Sequence, residues 1–171
     1  MSSMAASRPG AVMRRVFRAP IPLYDAGLGW LLTERLLCLT HVGRKSGREY
    51  RTVLEVVGTN PPAGEFMVIA GFGPSSDWYR NIAANPGREV VVGRHRFAPQ
   101  HRVLDEAEAV DVIADYERRN HWIAPVVRLL LGRLLGWRYD SSREARERLV
   151  HQLPVVAFRP RTEPGDRTGQ E

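Results

Sequence analysis

A glycine-bracketed basic turn is the segment of this sequence best suited to binding an anion. Gly43-Arg44-Lys45-Ser46-Gly47 contains the only lysine among the 25 basic residues of the chain, and all the others are arginines. A compact ammonium favours a point contact with an anionic oxygen, and Arg48 and Arg51 add positive charge nearby. The same pattern is also typical of an exposed hairpin turn, because Gly and Ser mark turns on their own account.

Cysteine and histidine give no indication of a disulfide or a metal site. Cys38 is the single cysteine, so an internal disulfide is excluded and a reducing compartment is expected. The histidines lack the spacing of metal ligands and are expected on strands or at the surface. They are His41, His95, His101, His121 and His151. We therefore predict no metal.

The composition predicts one globular domain with an anionic partner. The 171 residues are 43% hydrophobic, which is enough for a core of its own. A net charge of +6 and a pI near 10.2 suit nucleic acid, anionic lipid or a phosphorylated small molecule. Charge alone does not choose among these three.

The two ends of the chain are expected to lie outside the folded domain. Residues 1–10 and 161–171 are polar and predict disorder. Residues 11–34 predict an amphipathic helical arm that carries several arginines on one side. Because no targeting or membrane-spanning segment is evident, a soluble cytoplasmic protein is expected.

Residues 35–160 predict the folded domain, with strands first and helices later. The alternation of apolar residues predicts six strands, at 36–42, 50–57, 66–70, 89–93, 95–104 and 154–158. A helix is predicted over 77–85, with Ser75 or Ser76 as its N-cap, and about three more between residues 105 and 152. Such closely spaced strands argue for an antiparallel meander that closes into a barrel, within an α+β fold with a mainly β core.

Several motifs, taken in order and spacing, resemble the deazaflavin-dependent nitroreductase family of actinobacteria. They are Leu39-Thr40-His41-Val42-Gly43-Arg44-Lys45-Ser46-Gly47, Arg51-Thr52, Val68-Ile69-Ala70-Gly71, Asp77-Trp78-Tyr79-Arg80-Asn81-Ile82-Ala83-Ala84-Asn85-Pro86 and Leu153-Pro154-Val155-Val156. The resemblance implies a split β-barrel that binds coenzyme F(420), a deazaflavin whose tail carries a phosphate and several glutamates. It also implies an oxidoreductase that passes a hydride from the reduced coenzyme to a small organic acceptor.

The resemblance further implies which residues border the coenzyme. A polyanionic tail needs a basic groove, and the N–H groups of Gly43 and Gly47 are expected near its oxygens. Small residues after the third strand would let a flat ring lie against the backbone. The implied cofactor-binding residues are Gly43, Arg44, Lys45, Ser46, Arg51, Thr52, Ala70, Gly71, Phe72, Gly73, Trp78, Tyr79 and Asn81. At helical spacing, Trp78 and Ile82 could equally form a packing face, and Asn81 could face solvent.

The proton donor is expected among hydroxyl-bearing residues near the ring, as in relatives. One such position lies after the third strand, where this chain has Phe72, which lacks a hydroxyl. This departure argues against nitroreductase activity and favours a larger apolar acceptor such as a quinone, and a nitro or enone compound is the alternative acceptor. Tyr139 is the predicted catalytic residue at the second position, and Tyr116 is the second choice. The alternative for either tyrosine is a solvated or packed side chain without a catalytic role.

Other functions fit part of the sequence. An FMN-dependent oxidoreductase on the same barrel would use similar phosphate contacts without a long basic groove, so FMN is the second choice of cofactor. A nucleic-acid-binding module fits the high pI, although the strands lack stacking aromatics, and we expect no nucleic acid partner. A non-catalytic carrier of a cofactor, lipid or haem also fits a barrel.

The apolar helical segment 123–137 has several possible roles. It contains Arg128 and Arg133, and its fifteen residues are too few and too charged to cross a bilayer. It could cover the active site or form a dimer contact. It could also lie, together with the 11–34 arm, on the anionic inner face of the cell membrane. The sequence is therefore compatible with a monomer or a homodimer.

Overall fold

A computed structural model describes the backbone of residues 34–162 and all side chains in that range except 123, 124, 126, 127, 130 and 134. The predicted helical arm and the two predicted disordered ends fall almost entirely outside these residues. The described chain forms β1 (Leu36–Val42), β2 (Glu49–Asn60), β3 (Glu65–Ile69), α1 (Asp77–Ala84), β4 (Glu89–Val92), β5 (His95–Phe97), β6 (Pro99–Val103), α2 (Glu106–Arg119), α3 (Ala124–Leu135), α4 (Arg143–Gln152) and β7 (Val155–Pro160). Short 3-10 turns occupy Pro61–Ala63, Gly73–Ser75 and His121–Ile123.

The strands form one antiparallel sheet that curls into a split barrel. Their order across the sheet is β5-β4-β1-β2-β3-β7-β6, so the two edge strands are consecutive in the chain and only Ala98 separates them. The sheet must therefore bring its two edges side by side, and no ladder joins β5 to β6 among the described pairings. The backbone N–H of Arg161 donates to the carbonyl of Ala98 at 2.9 Å and so stabilises the connection between β5 and β6. The prediction of an α+β split barrel is confirmed.

The predicted strand 95–104 is two strands. Pro99 begins β6, and proline cannot donate a ladder hydrogen bond, so the chain changes partners there. β5 pairs with β4, whereas β6 pairs with β7 at the other edge of the sheet. The sheet thus has seven strands where the sequence predicted about six.

β2 is the longest strand and belongs to both halves of the barrel. Residues 49–55 pair with β1, and residues 56–60 pair with β3 after a bulge between Val56 and Gly58. A bulge bends a strand and increases its twist, so β2 turns from one half into the other. A Cβ at Gly58 would come 2.8 Å from Val112 of α2, which shows how closely that helix packs here.

The core consists of two main layers because strand side chains alternate. Val156 and Phe158 of β7 point into one buried cluster with residues of β1, β3, β4 and α1. Val155 and Ala157 point into a second cluster, formed with α2, α4 and the segment that precedes α4. β7 is therefore covered on both faces.

Candidate functional site

The basic turn between β1 and β2 is closed by its own backbone. Gly43 N–H donates to the Arg48 carbonyl at 2.8 Å, and Gly47 N–H donates to the Gly43 carbonyl at 2.9 Å. Gly47 has a φ of 66°, which a side chain disfavours. Both N–H groups are therefore used inside the turn. This corrects the expectation that they approach the oxygens of an anion.

Arg44 fastens the turn to α1. Its backbone N–H and its guanidinium Nη1 both donate to Asn81 Oδ1, at 3.1 and 3.0 Å, and Nη1 also lies 3.3 Å from Asp77 Oδ1. Asn81 is only 4% exposed, so it neither faces solvent nor offers its oxygen to a ligand. The basic turn is thus held against the first two turns of α1.

A buried polar chain continues from Asn81 into the barrel. Asn81 Nδ2 lies 3.0 Å from His41 Nδ1, and His41 Nε2 lies 3.0 Å from Thr52 Oγ1. Burial lowers the pKa of His41 to about 4, although the Asp77 carboxylate opposes this effect, so the imidazole is neutral near pH 7. The ring of His41 also stacks on Tyr50, with centroids 6.0 Å apart.

His41 is the residue that sequence reasoning missed as part of this site. We expected an ordinary strand or surface histidine; His41 does lie on a strand, β1, but it is 3% exposed and has polar partners. The alternation along β1 contains the signal, because His41 lies two residues after Leu39 and four after Leu37, both fully buried. A polar ring on that face of the strand needs polar partners, which Asn81 and Thr52 provide.

The remaining cations of the turn lie at its outer side. Lys45 and Arg48 are exposed, whereas Arg51 is half-buried in β2. Ser46 Oγ lies 3.1 Å from the Tyr50 hydroxyl and accepts a bond from Arg48 N–H at 3.3 Å. The structure therefore gives Arg44 a fastening role and leaves Lys45 at the surface.

The segment after β3 leads directly into α1. Ala70 is buried, Gly71 and Phe72 are half-buried, and Gly73 begins the 3-10 turn that precedes the helix. Gly73 has a φ of 61°, and a Cβ there would lie 2.6 Å from the Gln152 carbonyl oxygen. A Cβ at Gly71 would meet nothing within 4 Å, so the backbone borders open space. This segment therefore leads into the N-terminus of α1, the helix to which Arg44 is hydrogen-bonded.

The two aromatic residues of α1 are divided between core and rim. Trp78 is buried with Ile82 in the first core layer, and its ring centroid lies 6.4 Å from that of Phe158. Tyr79 is half-buried and meets Trp78 edge to face at 5.9 Å. The packing interpretation of Trp78 accounts for its surroundings, and only Tyr79 has a side chain at the rim.

The site is chemically suited to an anionic, hydroxyl-rich ligand. Ser76, the N-cap position of α1, is 6% exposed, and its Oγ has no hydrogen-bond partner in the described part of the chain. A buried polar group without a partner costs about 1–3 kcal/mol, which a ligand oxygen would offset. Lys45 adds positive charge in the exposed turn, whereas Arg51 pairs with Thr40 and lies on the opposite face of β2 from Thr52. The residues present therefore fit a phosphorylated coenzyme.

Tyr139 is not brought together with the turn. It is buried in the helical core layer, and its hydroxyl donates to Glu117, which also accepts from Ser141 Oγ at 3.1 Å and Arg146 Nε at 2.8 Å. Burial and the Glu117 carboxylate raise the pKa of Tyr139. Tyr116 is held in the same way by Glu55, at 2.5 Å. Both tyrosines have the surroundings of packed, hydrogen-bonded side chains.

A separate open cavity of about 710 Å³ lies beside α3. Its lining includes Tyr139, Trp137 and three arginines, and it includes none of the residues of the basic turn. The lining residues are Arg128, Leu129, Gly132, Arg133, Gly136, Trp137, Arg138, Tyr139 and Asp140. This cavity and the rim beside α1 are therefore different features of the molecule.

The fold and the rim beside α1 define a split-barrel protein with a cationic turn held against α1. Residues 17–128 match the family model of F(420)H(2)-dependent quinone reductase, and the chain belongs to that family. This membership confirms the resemblance to deazaflavin-dependent enzymes. It makes the protein an oxidoreductase of the F(420)-dependent class, with coenzyme F(420) as the implied cofactor.

Solved structures with similar folds include an F(420)-H2 dependent reductase, FDR-A, which is 22% identical with a TM-score of 0.41 over 74% of this chain and 95% of that one. A protein of unknown function from Agrobacterium tumefaciens is 16% identical, with a TM-score of 0.50 over 94% of this chain and 60% of that one. A pyridoxamine 5'-phosphate oxidase-related, FMN binding protein from Nostoc punctiforme is 15% identical, with a TM-score of 0.47 over 81% and 80%. No curated protein matches the chain.

Proposed function

We propose that this protein transfers a hydride from reduced coenzyme F(420) to a quinone. The observation that carries the proposal is the fastening of the basic turn to α1 by Arg44 and Asn81, in a chain that belongs to a family described by this reaction. Two electrons and one proton arrive with the hydride, and a second proton completes the quinol. Phe72, which has no hydroxyl, suits an apolar acceptor better than a nitro compound that needs a hydrogen-bond donor.

The coenzyme would be held at the rim beside α1. Lys45 would contact the phosphate and the glutamates, and the Thr52 and Ser76 hydroxyls would meet its oxygens. Charge-assisted hydrogen bonds of this kind contribute about 1.5–3 kcal/mol each where water is partly excluded, and less at exposed positions. The open space at Gly71 would admit the flat ring. When bound, the deazaflavin supplies the hydride, and the chain positions the acceptor beside it.

Turnover with different acceptors tests this function. Purified protein is mixed without oxygen with reduced coenzyme F(420) and either a soluble naphthoquinone or a nitroaromatic compound, and oxidation of the coenzyme is followed by absorbance. We expect quinone reduction to have at least a tenfold higher kcat/KM than nitro reduction. Turnover with reduced FMN, and none with reduced F(420), would favour the FMN-dependent alternative instead.

We also propose that α3 and the turn before it contact an anionic membrane surface, where lipophilic quinones reside. Trp122 is 71% exposed and Leu129 is 57% exposed, and the exposed Arg128 and Arg133 lie on the same segment. Apolar side chains flanked by arginines suit a lipid interface with anionic head groups. Within residues 34–162, no helix is both long and apolar enough to span a bilayer.

A further inference from the structure

We propose that His41 is a positioning residue of this site: as a neutral imidazole with its proton on Nε2, it orients Asn81 toward Arg44 and makes Thr52 a hydrogen-bond donor toward the ligand. The inference rests on the proposed function in one respect, because the ligand oxygen that Thr52 meets is taken to belong to coenzyme F(420).

The orientation of the Asn81 side chain is fixed by Arg44. Asn81 Oδ1 accepts two hydrogen bonds from Arg44, at 3.1 and 3.0 Å, and only an oxygen can do so. The Nδ2 group must then lie on the other side of the amide, 3.0 Å from His41 Nδ1. Because Nδ2 can only donate, His41 Nδ1 must be unprotonated.

The tautomer of His41 in turn decides what Thr52 can do. A neutral imidazole without a proton on Nδ1 carries it on Nε2, which donates to Thr52 Oγ1 at 3.0 Å. The Thr52 hydroxyl has therefore accepted one bond, and its own hydrogen can be donated to another acceptor. Thr52 is half-buried at the rim. It is thus set to donate to a phosphate or carboxylate oxygen.

The simpler interpretation is that His41 only fills the space beside Tyr50. The two interpretations differ in their response to substitution. An asparagine at position 41 can keep the acceptor for Asn81 and loses the donor to Thr52, whereas a glutamine can keep the donor and loses the acceptor. A phenylalanine keeps the ring and its stacking and loses both hydrogen bonds.

The test combines nitrogen NMR of the His41 ring with coenzyme binding by His41→Asn, His41→Gln and His41→Phe. The ring nitrogen shifts of the wild-type protein should show a neutral Nε2–H tautomer at pH 7. His41→Asn and His41→Gln, which each lose one hydrogen bond, should bind oxidised coenzyme F(420) about threefold to tenfold more weakly than wild type. His41→Phe, which loses both, should bind it more than tenfold more weakly. Thr52→Val should weaken binding in the wild-type background and have no further effect in His41→Phe.

Several results would overturn the inference. A proton on Nδ1, a charged ring at pH 7, or a folded His41→Phe with wild-type affinity would each exclude the positioning role. If His41→Phe does not fold, equal affinity of wild type and His41→Asn would exclude the Thr52 part. If the wild-type protein does not bind the coenzyme, the proposed function fails. The tautomer observed by NMR would still test the proposed hydrogen bonds of His41 to Asn81 and Thr52.

Discussion

At the scale of single residues, the adjacent cations Arg44 and Lys45 have opposite surroundings. Arg44 is bonded to the buried Asn81 and to the exposed Asp77, so its charge is partly balanced by a carboxylate at the surface. Lys45 is exposed. A substitution of Arg44 should therefore act on the structure of the turn, whereas a substitution of Lys45 should act on the ligand. Experiments that combine the two substitutions would mix these effects.

The buried, neutral state of His41 predicts how stability depends on pH. Its pKa is about 4 in the folded protein and near 6.5 when unfolded, so the unfolded chain binds more protons between these values. The free energy of unfolding should therefore fall as pH falls from 6.5 to 4, by on the order of 2 kcal/mol from this group. The charged group that acts on the His41 ring is Asp77, whose carboxylate opposes the fall in pKa.

Urea unfolding at several pH values measures this dependence. The His41→Asn variant is the control, because it has no titrating group at this position, and its profile should be flatter than the wild-type profile between pH 6.5 and 4. Identical profiles for the two proteins would contradict a buried neutral histidine.

Tyr139→Phe separates a catalytic tyrosine from a packed one. The Tyr139 hydroxyl already donates its hydrogen bond to Glu117, and its pKa is raised. Tyr139 is therefore a weak proton donor. We expect kcat to stay within about threefold of wild type and the free energy of unfolding to fall by about 1–2 kcal/mol. A loss of kcat of a hundredfold or more, with stability retained, would restore the catalytic role predicted from the sequence.

At the scale of elements, the segment between β3 and α1 offers a matched pair of glycines. Gly73→Ala introduces a Cβ 2.6 Å from a backbone carbonyl at a φ of 61°, and should destabilise the protein by about 2 kcal/mol or more. Gly71→Ala introduces a Cβ into open space and should leave stability unchanged. If the coenzyme ring lies against Gly71, that variant should nevertheless bind the coenzyme at least fivefold more weakly.

Thermal unfolding and coenzyme titration of both variants check this prediction. Wild-type affinity in a stable Gly71→Ala protein would mean that the ring lies elsewhere. Wild-type stability in Gly73→Ala would mean that the 3-10 turn shifts at little cost.

The sequence predicted the elements of this fold better than the connections inside its site. Alternating apolar residues defined β1, β3, β4 and β7 because each of these strands buries at least one face, and Ser76 and Asn85 bound α1 as expected. The extension of β2 to Asn60 was missed, because its bulge and Gly58 interrupt the alternation. The division at Pro99 was missed because β5 and β6 pair with different strands. Sequence pattern carries no information about such partners.

The hydrogen bonds that join the residues of the candidate site could not be predicted from the sequence. The glycines and cations of the turn are visible as a motif, but the Asn81 to His41 contact joins residues 40 positions apart. Hydrogen-bond partners at that separation depend on the tertiary fold, which explains why Asn81 was left between ligand binding and solvent exposure.

At the scale of the whole molecule, the exposed segment at the start of α3 predicts lipid binding. The full-length protein should cosediment with vesicles that contain phosphatidylglycerol more than with pure phosphatidylcholine, and less so at high salt. Trp122→Ser and Arg128→Ser should each reduce cosedimentation at least threefold. Val103→Ser, which removes an exposed apolar residue from β6, is the matched control. Equal binding by Trp122→Ser and the control would exclude α3 as the contact.

The central claim is that the basic turn, held against α1, binds the polyanionic tail of coenzyme F(420). Its most direct measurement is fluorescence titration of wild type, Lys45→Ala and the exposed control Arg143→Ala with three compounds: coenzyme F(420), its tail-less deazaflavin core, and FMN. We predict micromolar or tighter binding of the coenzyme by wild type and Arg143→Ala, and about threefold to tenfold weaker binding by Lys45→Ala. The affinity for the tail-less core should not change. Equal losses for the coenzyme and the core, or tight binding of FMN alone, would contradict the claim.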